Sequence, residues 1–403
     1  MTTPADPVLI IGASLAGLRS AEALRRGGYL GLIKVIGSEP YLPYNRPPLS
    51  KDMLSGSGEI EDLYFPIKEA VADVEWITGT TASSLDVQNQ VVSDLNGKKH
   101  TYSGLVIATG LRPKPLPIDS NGIAGIHVLR TFDDAAALRK QLLPGVRVLI
   151  LGSGFIGCEV AATASKAGCK VRVVSRSHEP IEQAVGSELA LEIKRRHQLQ
   201  GVEFIKGASV FGLIGDGHVE RVILDSGVIF DADLVVVAVG SLPNTEWLEG
   251  SGINIEDGVL VDQNMKAVKE NGEILPNVVA VGDIARYVNP LFDDIPRRVE
   301  HWNLPTETGR YAGKMLAQTL LGDSVKEADE ARFAPLPSFW SDQYDMHLLA
   351  FGMTYLADRS ELVAGELQGE CVFEYFRDDK LVGVCGIGMR PTIQSYRTRF
   401  SLA

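Results

Sequence analysis

Two glycine-rich segments carry the residue types and the spacing that could hold phosphates. Residues 8–17 read V-L-I-I-G-A-S-L-A-G, and residues 148–157 read V-L-I-L-G-S-G-F-I-G. In each segment an aliphatic strand runs through a tight turn into a helix, whose free N–H groups and dipole attract a pyrophosphate. The residues that we expect to contact the two dinucleotides are Gly12, Ser14, Ala16 and Gly17 in the first turn and Gly152, Gly154, Phe155, Ile156 and Gly157 in the second.

The presence of two turns is more informative than either turn alone. One such segment is a weak signal, but two of them about 140 residues apart predict that one polypeptide holds two dinucleotides. The natural combination is a bound FAD and a visiting nicotinamide dinucleotide. Because these cofactors carry hydride and electron transfer, the sequence predicts redox chemistry.

The elements around the first turn must position its glycines. The pattern predicts a strand over residues 8–11, a helix near 16–26 and a strand over 32–36. Glu39 follows this second strand, 22 residues beyond Gly17, about where an acid hydrogen-bonds a ribose hydroxyl. We therefore expect Glu39 to bind the FAD ribose, the alternative being a solvated loop acid.

The second turn opens a similar unit, with a helix predicted over residues 159–166 and a strand over 171–174. Ser175 stands at the end of this strand, where an acid would accept from the 2′-hydroxyl of NADH, and Arg176 follows it. A missing acid and a present cation suit a 2′-phosphate. This pattern favours NADPH, or tolerance of both nicotinamides. The alternative is an arginine that points into water.

Composition narrows the class of protein. The chain has 403 residues, 45% of them hydrophobic, and a net charge of −12. These values predict two or three soluble domains and argue against nucleic acid as a partner. No apolar run approaches the roughly 18 residues of a membrane span, and the first residues lack a leader pattern, so we expect a cytoplasmic protein without membrane contact. The four cysteines lack the spacing of a metal site or a C-x-x-C pair, so neither a bound metal nor a redox disulfide is expected.

The order of the elements predicts an α/β fold with two Rossmann-like dinucleotide-binding domains and a small α+β C-terminal domain. We expect residues 1–112 and 244–325 to form a discontinuous FAD-binding domain. Residues 113–243 would form the NAD(P)H-binding domain, and residues 326–403 the C-terminal domain, where short alternating strands follow an acidic linker.

The motifs together resemble a known flavoprotein superfamily. In order, the chain carries G-x-x-x-x-G, A-T-G, G-x-G-x-x-G, A-V-G-x-x-P-N and A-V-G-D, as two-dinucleotide-binding flavoproteins do. The segments Y-N-R-P-P-L-S-K, V-E-H-W and F-W-S-D-Q-Y resemble a narrower family, the FAD-dependent ferredoxin reductases of multicomponent oxygenases, which includes the putidaredoxin, biphenyl dioxygenase and toluene dioxygenase reductases. The resemblance covers residues 8 to about 386 and implies a glutathione-reductase-like fold. The chain departs from the pattern at Ser14, where a glycine is usual, and after V-E-H-W-N, where L-P-T-E-T-G replaces A-x-x-Q-G.

This resemblance also implies roles for single residues. Lys51 would approach flavin N5 and form an ion pair with Glu159; the alternative is two surface charges on separate domains. Asp283, an acid expected to be exposed at the end of a strand, would hold the ribityl chain, and Trp302 would begin a helix next to the flavin pyrimidine. Arg46 would donate to phosphate. The other implied cofactor contacts are Ala16, Ala82, Thr109, Gly110, Arg130 and Gly240.

The function implied is that of an FAD-dependent NAD(P)H:ferredoxin oxidoreductase. Hydride would pass from NAD(P)H to FAD N5, and single electrons would pass to a separate [2Fe–2S] ferredoxin that serves a Rieske dioxygenase or a cytochrome P450. Trp340 would lie between the flavin and the docking face, or else be a core tryptophan. A basic patch for the ferredoxin is expected among Arg297, Arg298, Arg310, Lys314, Arg390, Arg397 and Arg399.

Other functions stay open at this point. Rubredoxin reductase and monodehydroascorbate reductase are relatives that the motifs do not separate from ferredoxin reductase. A flavoprotein that responds to a nicotinamide without transferring electrons is an alternative from a different class. Disulfide reductases are disfavoured, because they need a cysteine pair on the first-domain helix and this chain has none there.

Overall fold

A computed structural model describes residues 6–56, 58–120, 122–176, 178–322 and 332–400 of the chain. Within these residues, no helix combines the length and the apolar composition needed to cross a membrane. The elements form two α/β units and a third unit built on an antiparallel sheet.

The chain begins with the strand–helix–strand unit predicted from the first glycine-rich turn. β1 pairs in parallel with β2 and with β7, so the turn after β1 lies at the carboxyl edge of a parallel sheet. β4, β5 and β6 form an antiparallel meander beside it. The elements up to residue 107 are β1 (Val8–Ile11), α1 (Leu15–Arg26), β2 (Ile33–Ile36), α2 (Asp52–Ser55), β3 (Glu75–Ile77), β4 (Ala82–Asp86), β5 (Val91–Asp94), β6 (Lys99–Thr101) and β7 (Gly104–Ile107).

The second unit is a parallel sheet in the strand order β12-β11-β10-β16-β9. Its central strands are apolar because both faces of a parallel sheet are covered, and every residue of β16 is buried. The elements are β8 (Leu111–Pro113), β9 (Ile126–His127), α3 (Phe132–Arg139), β10 (Arg147–Leu151), α4 (Phe155–Lys166), β11 (Lys170–Ser175), α5 (Glu182–Leu199), β12 (Glu203–Lys206), β13 (Val210–Ile214), β14 (Arg221–Leu224), β15 (Ile229–Asp231) and β16 (Leu234–Val237).

The chain then returns to the first sheet, completing the strand order β19-β20-β7-β1-β2-β3. β20 pairs in parallel with β7, and α6 packs closely on α1. Glycines allow this close approach, since a Cβ at Gly309 would lie 2.8 Å from the carbonyl oxygen of Ala16. The elements are β17 (Ser241–Pro243), β18 (Val259–Leu260), β19 (Lys266–Val268), β20 (Ile274–Ala280), β21 (Ala285–Arg286) and α6 (Leu304–Leu321).

The third unit is an antiparallel sheet in the order β22-β23-β26-β25-β24. Its buried face packs on α5, where Phe373 and Tyr375 share one apolar core with Val185 and Leu189. The Tyr375 hydroxyl also donates to the carbonyl of Val185 at 2.6 Å. The elements are β22 (Ser338–Gln343), β23 (Met346–Gly352), β24 (Arg359–Gly365), β25 (Cys371–Arg377), β26 (Lys380–Ile387) and α7 (Arg390–Ser395).

This architecture confirms the predicted fold class, with two Rossmann-like units followed by a small α+β unit. The division of the chain into domains stays a prediction. Its last boundary, between residues 325 and 326, and most of the predicted acidic linker lie outside the described residues.

Candidate redox site

A cavity of about 760 Å³ lies where the three units meet. It is lined by residues from the first glycine-rich turn, the proline-rich segment, the start of α4 and the strand β22. Such a volume lies within the range of small-molecule and cofactor pockets. The sequence-predicted residues that line it are Gly12, Ser14, Ala16, Glu39, Arg46, Lys51, Ala82, Thr109, Gly110, Arg130, Phe155, Ile156, Glu159, Asp283, Trp302 and Trp340.

The other predicted residues are not part of this lining. Gly17 lies at the buried base of the first turn. The others belong to the second unit, where we expect a visiting dinucleotide to bind. These residues are Gly17, Gly152, Gly154, Gly157, Ser175, Arg176 and Gly240.

The first turn leaves a helix N-terminus open toward the cavity. Gly12 has a φ of +124°, and a Cβ on it would lie 2.0 Å from the carbonyl oxygen of Ala108, so this position requires glycine. Ser14 precedes α1, but its hydroxyl makes no capping hydrogen bond. The first turn of α1 also has no acidic side chain. The N–H groups and the Ser14 hydroxyl are therefore available for an anion.

The second turn repeats this geometry. Gly152 has a φ of +100°, and a Cβ there would lie 2.2 Å from the carbonyl oxygen of Ala238. A Cβ on Gly157 would lie 2.0 Å from the carbonyl oxygen of Gly152, as one on Gly17 would lie 2.1 Å from that of Gly12. The α4 helix begins at Phe155, four residues before its predicted start, with Gly154 as an uncapped N-cap. The two turns therefore have the same geometry, and each leaves the N-terminus of a helix open.

Glu39 faces the cavity and is held by two neighbours. Its carboxylate pairs with Arg46 at 2.5 Å and accepts from the Tyr44 hydroxyl at 2.5 Å. Burial opposes the charge of Arg46, but the neighbouring carboxylate of Glu39 raises the pKa of the guanidinium. Arg46 also donates to the carbonyl of Arg130 at 2.8 Å. The two terminal nitrogens of Arg46 therefore donate to Glu39, Tyr44 and the backbone, whereas we expected them to face phosphate.

Lys51 and Glu159 form an ion pair at the wall of the cavity. The Lys51 Nζ lies 2.6 Å from Glu159 Oε2, although the two residues come from the loop before α2 and from α4. The side chain of Glu159 is 5% exposed. A buried carboxylate needs several donors, and Glu159 also accepts from Ser50 Oγ at 2.5 Å and from Ser341 Oγ at 2.6 Å.

Asp283 lies in the short turn after β20 and faces the cavity. Its side chain is 18% exposed, so it is half-buried where the sequence analysis expected an exposed acid. Desolvation raises the pKa of Asp283, and Arg130, 3.4 Å away, partly opposes this shift. An acid held in this way can accept from a ligand hydroxyl, which is the chemistry expected of a ribityl contact.

Segment 109–110 of the A-T-G motif is fixed by reciprocal hydrogen bonds. Thr109 Oγ1 donates to the carbonyl of Asn244 at 2.9 Å, and Asn244 Nδ2 donates to the carbonyl of Thr109 at 2.8 Å. Asn244 belongs to the P-N of A-V-G-x-x-P-N, so these hydrogen bonds join the two motifs in the folded chain. It holds the cavity wall at the place where the chain crosses between the two α/β units.

Aromatic side chains form the remaining wall. Trp302 and Trp340 make an edge-to-face contact with centroids 5.0 Å apart, and Trp302 is 41% exposed. Phe339 contacts Phe155 at 4.9 Å and His301 at 5.3 Å. The tryptophan pair therefore runs from the cavity to the surface, and Trp340 is not fully buried in a core.

Ser175 and Arg176 lie at the end of β11, in the second nucleotide unit. Ser175 Oγ donates to the carbonyl of His178 at 2.8 Å. Arg176 is exposed, and no ion pair to it is found among the described residues. Glu179, the next acid along the chain, is engaged by Lys194 and Lys206.

The structure also shows site residues that the sequence analysis missed. Ser50, Tyr44, Asn244 and Ser341 were not predicted, although each stands inside or beside a motif that was. The sequence signal that could have identified Ser341 is a polar residue on the face of an alternating strand where a buried apolar residue is expected. His301 was part of V-E-H-W but received no role; burial lowers its pKa to about 4, so it is neutral at ordinary pH.

Two buried polar atoms in the cavity wall test whether a polar cofactor would fit. Asn45 Oδ1 and His301 Nδ1 are buried, and neither has a hydrogen-bond partner within the described part of the chain. Buried polar atoms without partners are rare in folded proteins. With the open α1 N-terminus and the Glu39 carboxylate, they fit a long ligand that carries phosphates, hydroxyls and a polar ring, as FAD does.

The expected basic patch is largely neutralised by local acids. Several of its members lie in ion pairs: Arg297 with Asp293, Arg298 with Asp257 and Arg399 with Glu374. Arg390 and Arg397 are exposed, and no acid pairs with either among the described residues. The candidate docking charges are therefore fewer than the sequence suggested.

The four cysteines are unpaired and buried. Burial raises the thiol pKa of Cys158 and of Cys385, which keeps these side chains in their unreactive protonated form. The site thus contains no disulfide chemistry of its own.

Comparisons with known proteins agree with this geometry. Residues 6–309 match the family described as pyridine nucleotide-disulphide oxidoreductase, and residues 338–401 match the reductase C-terminal family. The chain is 34% identical over 404 residues (98% of this chain, 93% of the relative) to the anthranilate 1,2-dioxygenase system ferredoxin–NAD(+) reductase component of Burkholderia cepacia. It is 32% identical over 362 residues (88% of each) to the rubredoxin–NAD(+) reductase of Ectopseudomonas oleovorans.

A solved structure shows the same fold over nearly the whole length. The covalent complex of putidaredoxin reductase with putidaredoxin contains a chain that superposes with a TM-score of 0.88 at 29% identity, covering 98% of this chain and 93% of that one. The paired glycine-rich turns, the shared cavity and the match over residues 6–309 lead to one conclusion. The chain belongs to the pyridine nucleotide-disulphide oxidoreductase family.

Proposed function

We propose that this protein is an FAD-dependent NAD(P)H:ferredoxin oxidoreductase that feeds electrons to a [2Fe–2S] ferredoxin of an oxygenase system. Membership of the family supports FAD and NAD(H) as the two dinucleotides. The observation that carries the proposal is the ion pair of Lys51 and Glu159 in the wall of the cavity where the three units meet. The named relatives, reductases of a ferredoxin and of a rubredoxin, support the same class of reaction.

The first unit would hold FAD. The N–H groups at the start of α1 and the Ser14 hydroxyl would receive the pyrophosphate, and Glu39, held by Arg46, would accept from the ribose. Asp283 would accept from the ribityl hydroxyls, and the N–H groups near Trp302 would face the flavin pyrimidine. When bound, FAD accepts a hydride and releases electrons one at a time.

Lys51 would act electrostatically on this chemistry. Its ammonium is held in the cavity wall by Glu159, so a fixed positive charge beside the ring would favour the anionic reduced form of a bound flavin. A preorganised charge of this kind needs no reorganisation during the reaction. The residues would only have to hold the two dinucleotides in contact, and no side chain would have to transfer a proton for hydride transfer between them.

The nicotinamide would enter over the second turn, in contact with Phe155 and Ile156. We propose that NADPH is accepted at least as well as NADH. Arg176 is exposed at the end of β11, and the nearby Glu179 is engaged by two lysines, which reduces its repulsion of a 2′-phosphate. The ratio of kcat/KM for the two nicotinamides tests this; a strong preference for NADH would defeat it.

Electrons would leave along the tryptophan pair, since Trp302 is exposed and Trp340 contacts it in the cavity wall. Arg390 and Arg397 would meet an acidic ferredoxin. A rubredoxin is the second candidate partner, because the chain is 32% identical to a rubredoxin reductase. We further propose that residues 1–112 and 244–325 form the FAD-binding domain. Residues 113–243 would form the NAD(P)H-binding domain, and residues 326–403 the C-terminal domain. The protein would act in the cytoplasm.

Anaerobic reduction tests the proposal directly. The purified protein should be yellow, and NADH or NADPH should bleach it. Reconstitution with a panel of ferredoxins and rubredoxins, followed by cytochrome c reduction, would identify the partner class. A colourless protein that cannot be reconstituted with FAD would overturn the proposal.

The role of Lys51 has a matched control. Lys51→Ala should slow flavin reduction more than it weakens FAD retention, because the lost charge acts on the reacting ring. Lys68 also pairs with a buried glutamate, Glu22, at 3.1 Å, but outside the cavity lining. Lys68→Ala should leave flavin reduction unchanged. A loss of FAD without slower reduction in Lys51→Ala would contradict its placement.

A further inference from the structure

The strand β22 buries polar side chains where apolar ones would be ordinary. Its residues alternate, with Phe339, Ser341 and Gln343 buried on one face. Ser341 is 0% and Gln343 1% exposed. A buried hydroxyl and a buried amide cost stability unless they are fully hydrogen-bonded, so their partners indicate what they do.

These side chains form a continuous chain of hydrogen bonds that ends at Glu159. His197 Nε2 lies 2.7 Å from Gln343 Oε1, Gln343 Nε2 donates to Ser341 Oγ at 2.9 Å, and Ser341 Oγ donates to Glu159 Oε1 at 2.6 Å. An amide oxygen only accepts, so His197 carries its hydrogen on Nε2. Every donor in the chain therefore points toward Glu159.

The two carboxylate oxygens of Glu159 have partners from different parts of the molecule. Oε2 receives Lys51 and Ser50, which precede α2 in the first unit. Among the described residues, Ser341 is the only donor to Oε1, and it comes from the third unit. Each hydrogen bond restricts rotation of the carboxylate, so the donation from Ser341 fixes the plane of the Glu159 carboxylate that pairs with Lys51.

We propose that Ser341 is a positioning residue for the redox site, which sets the orientation of Glu159 and through it the place of the Lys51 ammonium. The inference rests on the proposed function of Lys51. It gives the C-terminal unit a part in flavin reduction besides partner docking. This series of hydrogen bonds positions Glu159 and does not relay protons, because the amide of Gln343 separates His197 from Ser341.

The first test needs no cofactor. In a double-mutant cycle of Ser341→Ala with Glu159→Ala, the unfolding equilibrium constants should be coupled by about tenfold, as for a hydrogen bond to a charged group. The control is Thr354→Val. Thr354 is also a buried hydroxyl of the third unit, and it donates to the carbonyl of Ala184 at 2.5 Å, away from Glu159. Its cycle with Glu159→Ala should show no coupling. Absent coupling for Ser341 would overturn the inference.

The second test uses the FAD-loaded enzyme. Ser341→Ala should slow flavin reduction about tenfold at saturating NADH, leave KM for NADH within about twofold and make the flavin midpoint potential more negative. Ser341→Thr, which keeps the hydroxyl, should restore much of the rate and the potential. Thr354→Val should change neither.

The outcomes separate the two proposals. If wild-type protein is reduced normally and Ser341→Ala matches it in rate and potential, the role of Ser341 is refuted while the proposed function stands. If Ser341→Ala and Thr354→Val slow the enzyme equally, the effect is general loss of packing and the inference fails. If wild-type protein is not reduced by either nicotinamide, the proposed function and this inference fall together.

Discussion

The two glycine-rich turns offer a prediction in which each variant is the control for the other. Gly12→Ala and Gly152→Ala introduce the same defect: a Cβ 2.0 Å or 2.2 Å from a facing carbonyl oxygen, at a φ of +124° or +100°. The facing strand must move by about 1 Å in a close-packed interior. Backbone strain of about 1–3 kcal/mol and overpacking of about 1–3 kcal/mol give a cost of about 2–6 kcal/mol in each variant.

The effects on ligands should differ completely. Displacing a turn would remove hydrogen bonds to a charged pyrophosphate, each worth about 1.5–3 kcal/mol, or about 10- to 150-fold in affinity. Gly12→Ala should therefore lose FAD. Gly152→Ala should keep FAD and raise KM for the nicotinamide about tenfold or more.

The assay compares flavin absorbance per protein after gel filtration with KM from initial rates, and circular dichroism confirms folding. Gly154→Ala adds a variant without strain, since a Cβ there meets no atom within 4 Å. A higher KM for the nicotinamide in Gly154→Ala would therefore come from contact of the new methyl group with that ligand, and not from a strained turn. Loss of FAD from Gly152→Ala with retention in Gly12→Ala would refute the assignment of the two turns.

Three further predictions follow from single side chains. Arg176→Glu should raise KM for NADPH about tenfold while leaving KM for NADH within about twofold of the wild-type value. An equal change in KM for both nicotinamides would show that Arg176 faces water. Trp340→Leu should leave flavin reduction by NADH intact but slow ferredoxin-dependent cytochrome c reduction, and an unchanged rate would exclude it from the electron path. Burial lowers the pKa of His197 to about 4, so stability is full above pH 6.5 and falls toward pH 4, by about 2 kcal/mol at pH 5. Urea unfolding of His197→Phe should show less loss between pH 7 and pH 5; an equal loss would contradict this.

The parts of the fold set by local chemistry were predictable. The strand over residues 8–11 was placed correctly, and the first helix begins at Leu15, one residue before its predicted start. Glycine spacing and apolar runs act over a few residues, so the sequence displays them directly. The helix α4 was predicted to begin too late, at Glu159, because its apolar first turn lacks a polar N-cap.

The ion pair in the cavity wall joins two separate motifs, so no local pattern could predict it. The contact of Lys51 with Glu159 came from the family resemblance, and the geometry agrees with it. The hydrogen bond of Ser341 to Glu159 joins residues 182 positions apart, and no local pattern reports which strand will lie over α4. Glu39 was missed as the partner of Arg46 for a different reason: the two residues are only seven positions apart, but spacing within an irregular loop does not show which side chains face each other.

The shared core of α5 and the third sheet bears on attempts to change the electron acceptor of this enzyme. Exchanging the C-terminal module between related reductases would cut through the packing of Tyr375 on Val185 as well as the contact of Ser341 with Glu159. A transplanted module would have to bring matching side chains at these positions. Acceptor choice and turnover would therefore change together in such hybrids, and engineering is better directed at the exposed arginines.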